Sequence, residues 1–411
     1  MIRPATAVLL LLLASCASQP TRTTAPAAQP APLLLVSIDG FRPDYLDRGL
    51  TPTLARLVRD GARSTGMQPA FPSITFPNHY TLVTGLYPDD HGIVANTIED
   101  PAIPGVRFSM SNRDTVGDER WWDEATPIWN SADRAGIRTA TMFWPGSEAP
   151  IHGRHPDFWK PFDEDVTALQ RVTQVLAWLD LPESRRPRFI TLYFDRVDRN
   201  GHDHGPDSPE VDAAVADVDA ALAHLLDGLA RRGLRDRINI VIVSDHGMAA
   251  VPADHHIVLD DFVPADDFDA VTLGAIAELR AQPGDEAIIG KNIVGRHAHM
   301  QCWRRQDIPA RLHYGSNPRI PPYVCLADTG WLITTRASIA DKKELHLGEH
   351  GYDNTEPLMR ALFIADGPAF RNGVVLPGFP NVDVYPLLAK LLGIRPEQND
   401  GDIAPLLPAL R

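Results

Sequence analysis

The chain has 411 residues, 44% of them hydrophobic and 22% charged, ordinary proportions for a globular protein but long for a single small domain. Its formal net charge of −14 argues against binding a nucleic-acid backbone, whose phosphates want a basic face, so no nucleic-acid duplex is expected as a partner. A small phosphate-bearing molecule is still compatible with that charge if bound cations reverse it locally.

At the N-terminus Arg3 precedes an apolar run over residues 5–14. The run is too short to span a bilayer and small residues follow it, which is the pattern of an export signal. It closes on Leu13, Ala14, Ser15 and Cys16 and resembles the bacterial lipoprotein signal, whose cysteine is lipidated and becomes the new N-terminus. Plain signal cleavage is the alternative. The expected organisation is a signal over 1–16 and a Pro/Thr/Ala tether over 17–32. The expected location is the periplasm, with the lipid as the sole membrane contact. With Cys16 lipidated, Cys302 and Cys325 remain, and an oxidising compartment predicts that they pair.

Short apolar runs over residues 33–38, 137–144, 189–194, 238–244 and 362–365 read as strands buried on both faces. Helical stretches alternate with them. The clearest spans residues 210–229, where Val211, Val215, Val218, Leu222, Leu225 and Leu229 form one stripe at steps of four and three. Ser208 is its expected N-cap and Pro209 its first-turn proline, while Asp212, Asp217 and Asp219 read as its solvated face. The alternation predicts an α/β fold: a doubly wound, mostly parallel sheet with helices on both faces. It is assigned to residues 33–250 and 336–411. Residues 251–335 break the alternation and are read as an inserted smaller subdomain.

In such sheets ligands sit beyond the C-terminal ends of the strands. Asp39 follows the first run, Asp198 and His202 lie in a presumed loop after the third, Asp245 and His246 follow the fourth, and His350 precedes the last. Thr75, in PSITFPNHYTLVTG, stands at an expected helix start, where a hydroxyl is either an N-cap or a nucleophile supported by the helix dipole. Mixed imidazole and carboxylate donors suit zinc. Seven donors are too many for one tetrahedral ion and suit two Zn2+ roughly 3.5–4 Å apart. The expected grouping is Asp198, His202 and His350 on one, and Asp39, Thr75, Asp245 and His246 on the other. Residues 346–350 also spell H-x-x-E-H, but Gly348 within it and Gly351 after it argue against the helix that an inverted zincin needs. His346 and Glu349 are therefore read as ordinary loop residues.

The order SIDG, PSITFPNHYTLVTG, HGIVAN, FWPGSE, VDRNGHDHGP, SDHGM and EHGYDN resembles the nucleotide pyrophosphatase/phosphodiesterase family of the alkaline phosphatase superfamily, here expected to be a bacterial member. The resemblance covers nearly everything from residue 33 onward. It implies that Thr75 is the nucleophile and that the six Asp and His residues hold two zinc ions. It also implies that Asn96 donates to a phosphoryl oxygen and that Phe76 stacks on a base, with a second aromatic from Phe162 or Trp159. The implied reaction is hydrolysis of a small nucleotide phosphodiester or pyrophosphate through a phosphothreonine, releasing a nucleoside 5′-monophosphate. The alternatives are a lipid or choline phosphodiesterase of the same superfamily, a phosphonate hydrolase, a phosphomonoesterase and, outside catalysis, a zinc scavenger. Oligomeric state is not legible.

Overall fold

The computed structural model describes residues 30–341 and 346–411. The signal, Cys16 and all but the end of the tether lie outside the described residues.

An eight-stranded sheet organises the fold. In chain order its strands are β1 (Leu33–Ile38), β2 (Ala62–Ser64), β3 (Thr139–Met142), β4 (Phe158–Trp159), β5 (Phe189–Phe194), β6 (Asn239–Val243), β7 (Phe363–Asp366) and β8 (Val374–Leu376). Across the sheet they lie in the order β8-β2-β7-β6-β1-β5-β3-β4. Pairing is parallel except on both sides of β7, which runs antiparallel to β6 and β2. The run over 137–144 yields only a four-residue strand, because Phe143 leaves extended geometry at φ 56°.

Alternate residues of β1 serve two cores. Leu33 and Leu35 face one, with helices α2 (Thr75–Thr84), α3 (Ile128–Arg134) and α7 (Val384–Leu392). Leu34, Val36 and Ile38 face the other, with α1 (Pro52–Asp60), α4 (Ala168–Leu179) and α6 (Pro209–Arg231). Burial on both faces is why these strands are continuously apolar. Ser208 caps α6 by accepting from the Val211 amide. The aspartates of that helix are not uniformly solvated, as expected above. Asp219 is buried, and its carboxylate accepts from the Thr53 and Leu54 amides at 3.0 and 2.8 Å. It satisfies the free N–H groups at the start of α1.

Residues 268–327 hold a second, five-stranded antiparallel sheet with its own apolar cluster. Cys302 and Cys325 face each other on neighbouring strands there and form a disulfide.

Candidate active site

The register of the central strands builds the site. Ile38 pairs with Phe194 and Ser37 with Val243, all parallel. The chain therefore leaves β1, β5 and β6 at one edge, delivering Asp39, Asp198 and Asp245 together. Because β7 is antiparallel, the segment before it, with His350, returns to that same edge. Gly40 makes the close approach possible: its φ is +65°, and a Cβ there would stand 3.0 Å from Asp198 atoms.

Asp198 and His202 lie not in a loop but on helix α5 (Arg196–His204). Helical spacing i, i+4 puts both on one face. Gly201 is tolerated within that helix because Met248 packs where its Cβ would be.

Two ligand groups result, Asp198 with His202 and His350, and Asp39 with Asp245 and His246. In each, the donor atoms lie within 4.8 Å of one another. The His246 and His350 rings stack at 3.6 Å and join the groups. Each histidine is fixed by a backbone carbonyl: the Nδ1 of His202, His246 and His350 donates to the oxygens of Gly348, Gly247 and Ser73 at 2.9, 2.9 and 3.0 Å. That leaves every Nε2 lone pair aimed inward.

The carboxylates are arranged to match. Asp39 Oδ1, Asp198 Oδ1 and Asp245 Oδ2 are buried without a hydrogen-bond partner. Each lies 2.9–3.6 Å from an inward Nε2. Buried polar atoms are normally satisfied, so orphaned oxygens converging with imidazole lone pairs fit cations.

The remaining charges show how much the site needs positive charge. Burial, then the Asp245 and Asp198 carboxylates, push Asp39 well above the carboxylate range. Burial acts the same way on Asp245, but His246 and His79 overcome it and hold its carboxyl well down. Burial opposes charge on His246, and Asp245 beside it prevails, pushing it up to about 9. Burial, then His246 and His202, hold His350 well below the ordinary range.

Thr75 is not the N-cap. Ile74 occupies that position, and Thr75 is the first residue of α2. Its Oγ1 lies 3.3 Å from His246 Nε2, beside the Asp39 group and at the positive end of the helix. The segment leading to it is stitched down by Asn78, which accepts from the Ala70 amide and donates to the Pro72 and Ile74 carbonyls. Asn96 accepts from the Phe76 amide through Oδ1 at 2.9 Å, which leaves its NH2 to donate.

A cavity of about 330 Å3 opens beside Thr75, with Asp39, Phe76, Phe143, Phe162 and Tyr193 in its wall. Phe162 is held by Phe143 at 5.2 Å, with the Arg171 guanidinium 5.7 Å from its ring. Trp159 is not among the described residues of that wall. It sits on edge strand β4 and stacks on His155. The two cations lining the cavity, Arg113 and Arg199, are paired with Glu148 and Glu164.

Sequence reasoning missed Tyr193 and gave too little weight to His79, His346 and Glu349. The Tyr193 hydroxyl donates to Asp39 Oδ2 at 2.5 Å. Buried His79 lies between Ser37 Oγ and the Thr75 carbonyl, 3.4 Å from Asp245 Oδ2. Residues 348–349 are extended and not helical, so no zincin forms. Yet His346 and Glu349 are no ordinary loop residues. Together with His202 they make a third cluster, with Glu349 3.7 Å from His202 Nδ1. Burial would raise Glu349, but His202 and His346 hold it at about 2.

The type I phosphodiesterase / nucleotide pyrophosphatase family profile matches residues 33–353. The chain is 38% identical over 398 residues to an uncharacterised pyrophosphatase/phosphodiesterase of Schizosaccharomyces pombe, covering 92% of this chain and 80% of that protein. It is 36% identical over 399 residues to the bis(5′-adenosyl)-triphosphatase of Xenopus laevis, covering 97% and 84%. Other relatives are longer: the chain spans 41% of rat ectonucleotide pyrophosphatase/phosphodiesterase family member 1, at 37% identity. Among solved structures, murine ectonucleotide pyrophosphatase/phosphodiesterase 5 superposes with a TM-score of 0.88 at 33% identity, covering 93% of this chain and 100% of that one. That structure is an inactive threonine-to-alanine variant in complex with AMP. The fold is thus alkaline phosphatase-like. These relatives are eukaryotic, and nothing in the similarity carries the bacterial origin expected from the N-terminus. With a family match across most of its length and relatives at this identity, the chain belongs to the type I phosphodiesterase / nucleotide pyrophosphatase family of enzymes.

Proposed function

We propose that this chain hydrolyses nucleotide phosphodiester or pyrophosphate bonds by double displacement at Thr75, with two zinc ions as cofactors. The observation that carries this is Thr75 Oγ1 at the start of α2, 3.3 Å from His246 Nε2, between two His/carboxylate groups and an aromatic cavity. The AMP complex of the murine relative and the dinucleotide substrate in the name of the Xenopus relative favour a nucleotide.

Asp198, His202 and His350 would hold one ion, and Asp39, Asp245 and His246 the other with Thr75 beside it. When bound, the cations supply positive charge for the nucleophile, the phosphoryl oxygens and the leaving oxygen.

The residues of the chain do the rest. Thr75 Oγ forms a bond to phosphorus as the bond to the leaving group breaks, which gives a threonine-linked nucleotidyl diester, and the Thr75 proton leaves with the freed alcohol or phosphate. Water then attacks from the opposite side, the Oγ–P bond breaks, and the nucleoside 5′-monophosphate departs with Thr75 restored. The Asn96 amide NH2 donates to a phosphoryl oxygen without adding charge. Phe76 and Phe162 form the walls for a base. Arg113 and Arg199 are both paired with carboxylates, so among the described residues of the cavity no guanidinium is free for a monoester dianion, which favours a diester.

The test is Thr75→Ala assayed on bis-p-nitrophenyl phosphate and a dinucleotide polyphosphate, with metal content measured in parallel. Loss of both activities with zinc retained supports the reading. Full activity in the variant, or activity that survives thorough chelation, overturns it. Export and lipidation at Cys16 form a separate proposal, tested by mass spectrometry of the mature N-terminus.

A further inference from the structure

A buried carboxyl outside the active site grips the segment that carries Asn96. Glu278 lies on the strand Ile276–Ala281 of the second sheet and is 1% exposed. Its Oε1 is 2.5 Å from the Tyr314 hydroxyl, and that hydroxyl is 3.1 Å from the Val94 carbonyl. Its Oε2 is 3.3 Å from Thr272 Oγ1, which makes a long 3.5 Å contact to the Thr97 carbonyl. Both arms end on the backbone of one short stretch, on either side of Asn96.

Counting protons decides what these contacts can be. Tyr314 has one hydroxyl proton and two oxygen acceptors facing it. If Glu278 were ionised, that proton would go to the carboxylate and the Val94 carbonyl would lose its donor. If Glu278 is protonated, the carboxyl donates to the Tyr314 oxygen and the Tyr314 proton is free to reach Val94. Burial supports the second arrangement, pushing Glu278 up to about 7 against the pull of Tyr314, Thr272 and Arg280. The remaining charged neighbour of this network is Asp89, which faces Tyr314.

We propose that protonated Glu278, acting through Tyr314, is a positioning residue for Asn96, fixing the backbone at Val94 so that the Asn96 amide meets the phosphoryl oxygen. The inference rests on the role given to Asn96 in the proposed function. Glutamine, with an NH2 to donate and an oxygen to accept, reproduces the protonated acid. Leucine and Tyr314→Phe do not.

The experiment is a double-mutant cycle on bis-p-nitrophenyl phosphate, with kcat, KM, zinc content and Tm measured for Glu278→Gln, Glu278→Leu, Tyr314→Phe, Asn96→Ala and the last combined with each of the others. The expected result is Glu278→Gln within about threefold of the wild type, and Glu278→Leu and Tyr314→Phe down about tenfold in kcat/KM with zinc retained, the scale of one hydrogen bond. In the Asn96→Ala background those losses vanish, since the group being positioned is gone. Losses that persist in full in that background overturn the inference, as does Glu278→Gln falling with Glu278→Leu. If Glu278→Leu does not fold, the Tyr314→Phe arm carries the same cycle. Asn96→Ala at wild-type activity overturns both this inference and the Asn96 role, while Thr75→Ala separately reports on the nucleophile.

Discussion

Tyr193→Phe isolates a single oxygen in the site. The Tyr193 ring is held edge-on to His79 at 5.1 Å and to Phe162 at 6.0 Å, and phenylalanine keeps both contacts. What is lost is the donor 2.5 Å from Asp39 Oδ2. That hydrogen bond favours the charged form of Asp39, against burial and two neighbouring carboxylates. A hydrogen bond to a charged group contributes about 1.5–3 kcal/mol. The affinity of the Asp39, Asp245 and His246 group for zinc should therefore fall about 10- to 100-fold, the usual range for losing a partner behind a metal ligand. Competition with a chromophoric chelator measures it, and activity should return when zinc is raised. An affinity within twofold of the wild type, or a loss of kcat that added zinc does not recover, would refute the reasoning.

Removing the metals should cost stability as well as activity, because three carboxylates are left facing one another. A site held at 1,000 times its Kd adds about 4 kcal/mol, so chelation should lower Tm by roughly 5–10 °C, reversed by zinc; an unchanged melting curve would contradict the ligand assignment. Phe162→Ala should raise KM for a nucleotide substrate by roughly 5- to 100-fold, the scale of one base stack, whereas Trp159→Ala should leave it unchanged, and the opposite pattern would exchange their roles. Glu278 is held at about 7 in the fold against an ordinary 4.5, so the advantage of its uncharged form is complete below pH 4.5 and lost as pH rises through about 7. At about 1.4 kcal/mol per pH unit that is on the order of 3 kcal/mol; the Tm of Glu278→Gln minus that of the wild type should increase across this range, and a constant difference would sink the argument.

The parts of the molecule legible in the sequence were those where one local pattern has one cause. Strands β1 and β5 coincide with their apolar runs because both faces of the sheet are covered, and the capped, striped α6 was equally plain. What escaped depended on partners far along the chain. Asp219 follows helical periodicity onto a polar face, and nothing local reveals that the start of α1 docks there with two unsatisfied N–H groups. Tyr193 was hidden inside an apolar strand, since its ring belongs to the core and only its hydroxyl belongs to the site. Glu349 was set aside with the zincin pattern, soundly rejected as a helix; extended backbone nevertheless brings it beside His202 through pairing of residues 348–349 with Ala249–Ala250. His350 joins the strand-end ligands although it precedes its strand, and the reason, that β7 runs against its neighbours, is not legible locally.

The charge distribution explains why metal ions and substrate belong to one design. A net charge of −14 and three aspartates gathered beyond the strand ends, Asp39 and Asp245 buried and Asp198 half-buried, would repel any phosphate ester. The histidines cannot offset this by protonation alone: each Nδ1 is already committed to a carbonyl, and like-charged rings stacked at 3.6 Å resist a second proton. The cavity arginines are cancelled by their own carboxylates. Among the described residues of the site little positive charge is left for an anionic substrate, and the orphaned oxygens and inward Nε2 atoms are a means of holding cations that supply it. On this reading anion binding is conditional on cation binding, so the same three carboxylates that exclude phosphate from the bare protein admit it once they are engaged. If two cations are held there, as proposed, selectivity for a diester would follow from the same balance, because two cations shared among three carboxylates leave little charge to spare for a dianion, and the aromatic wall would reward a base in its place.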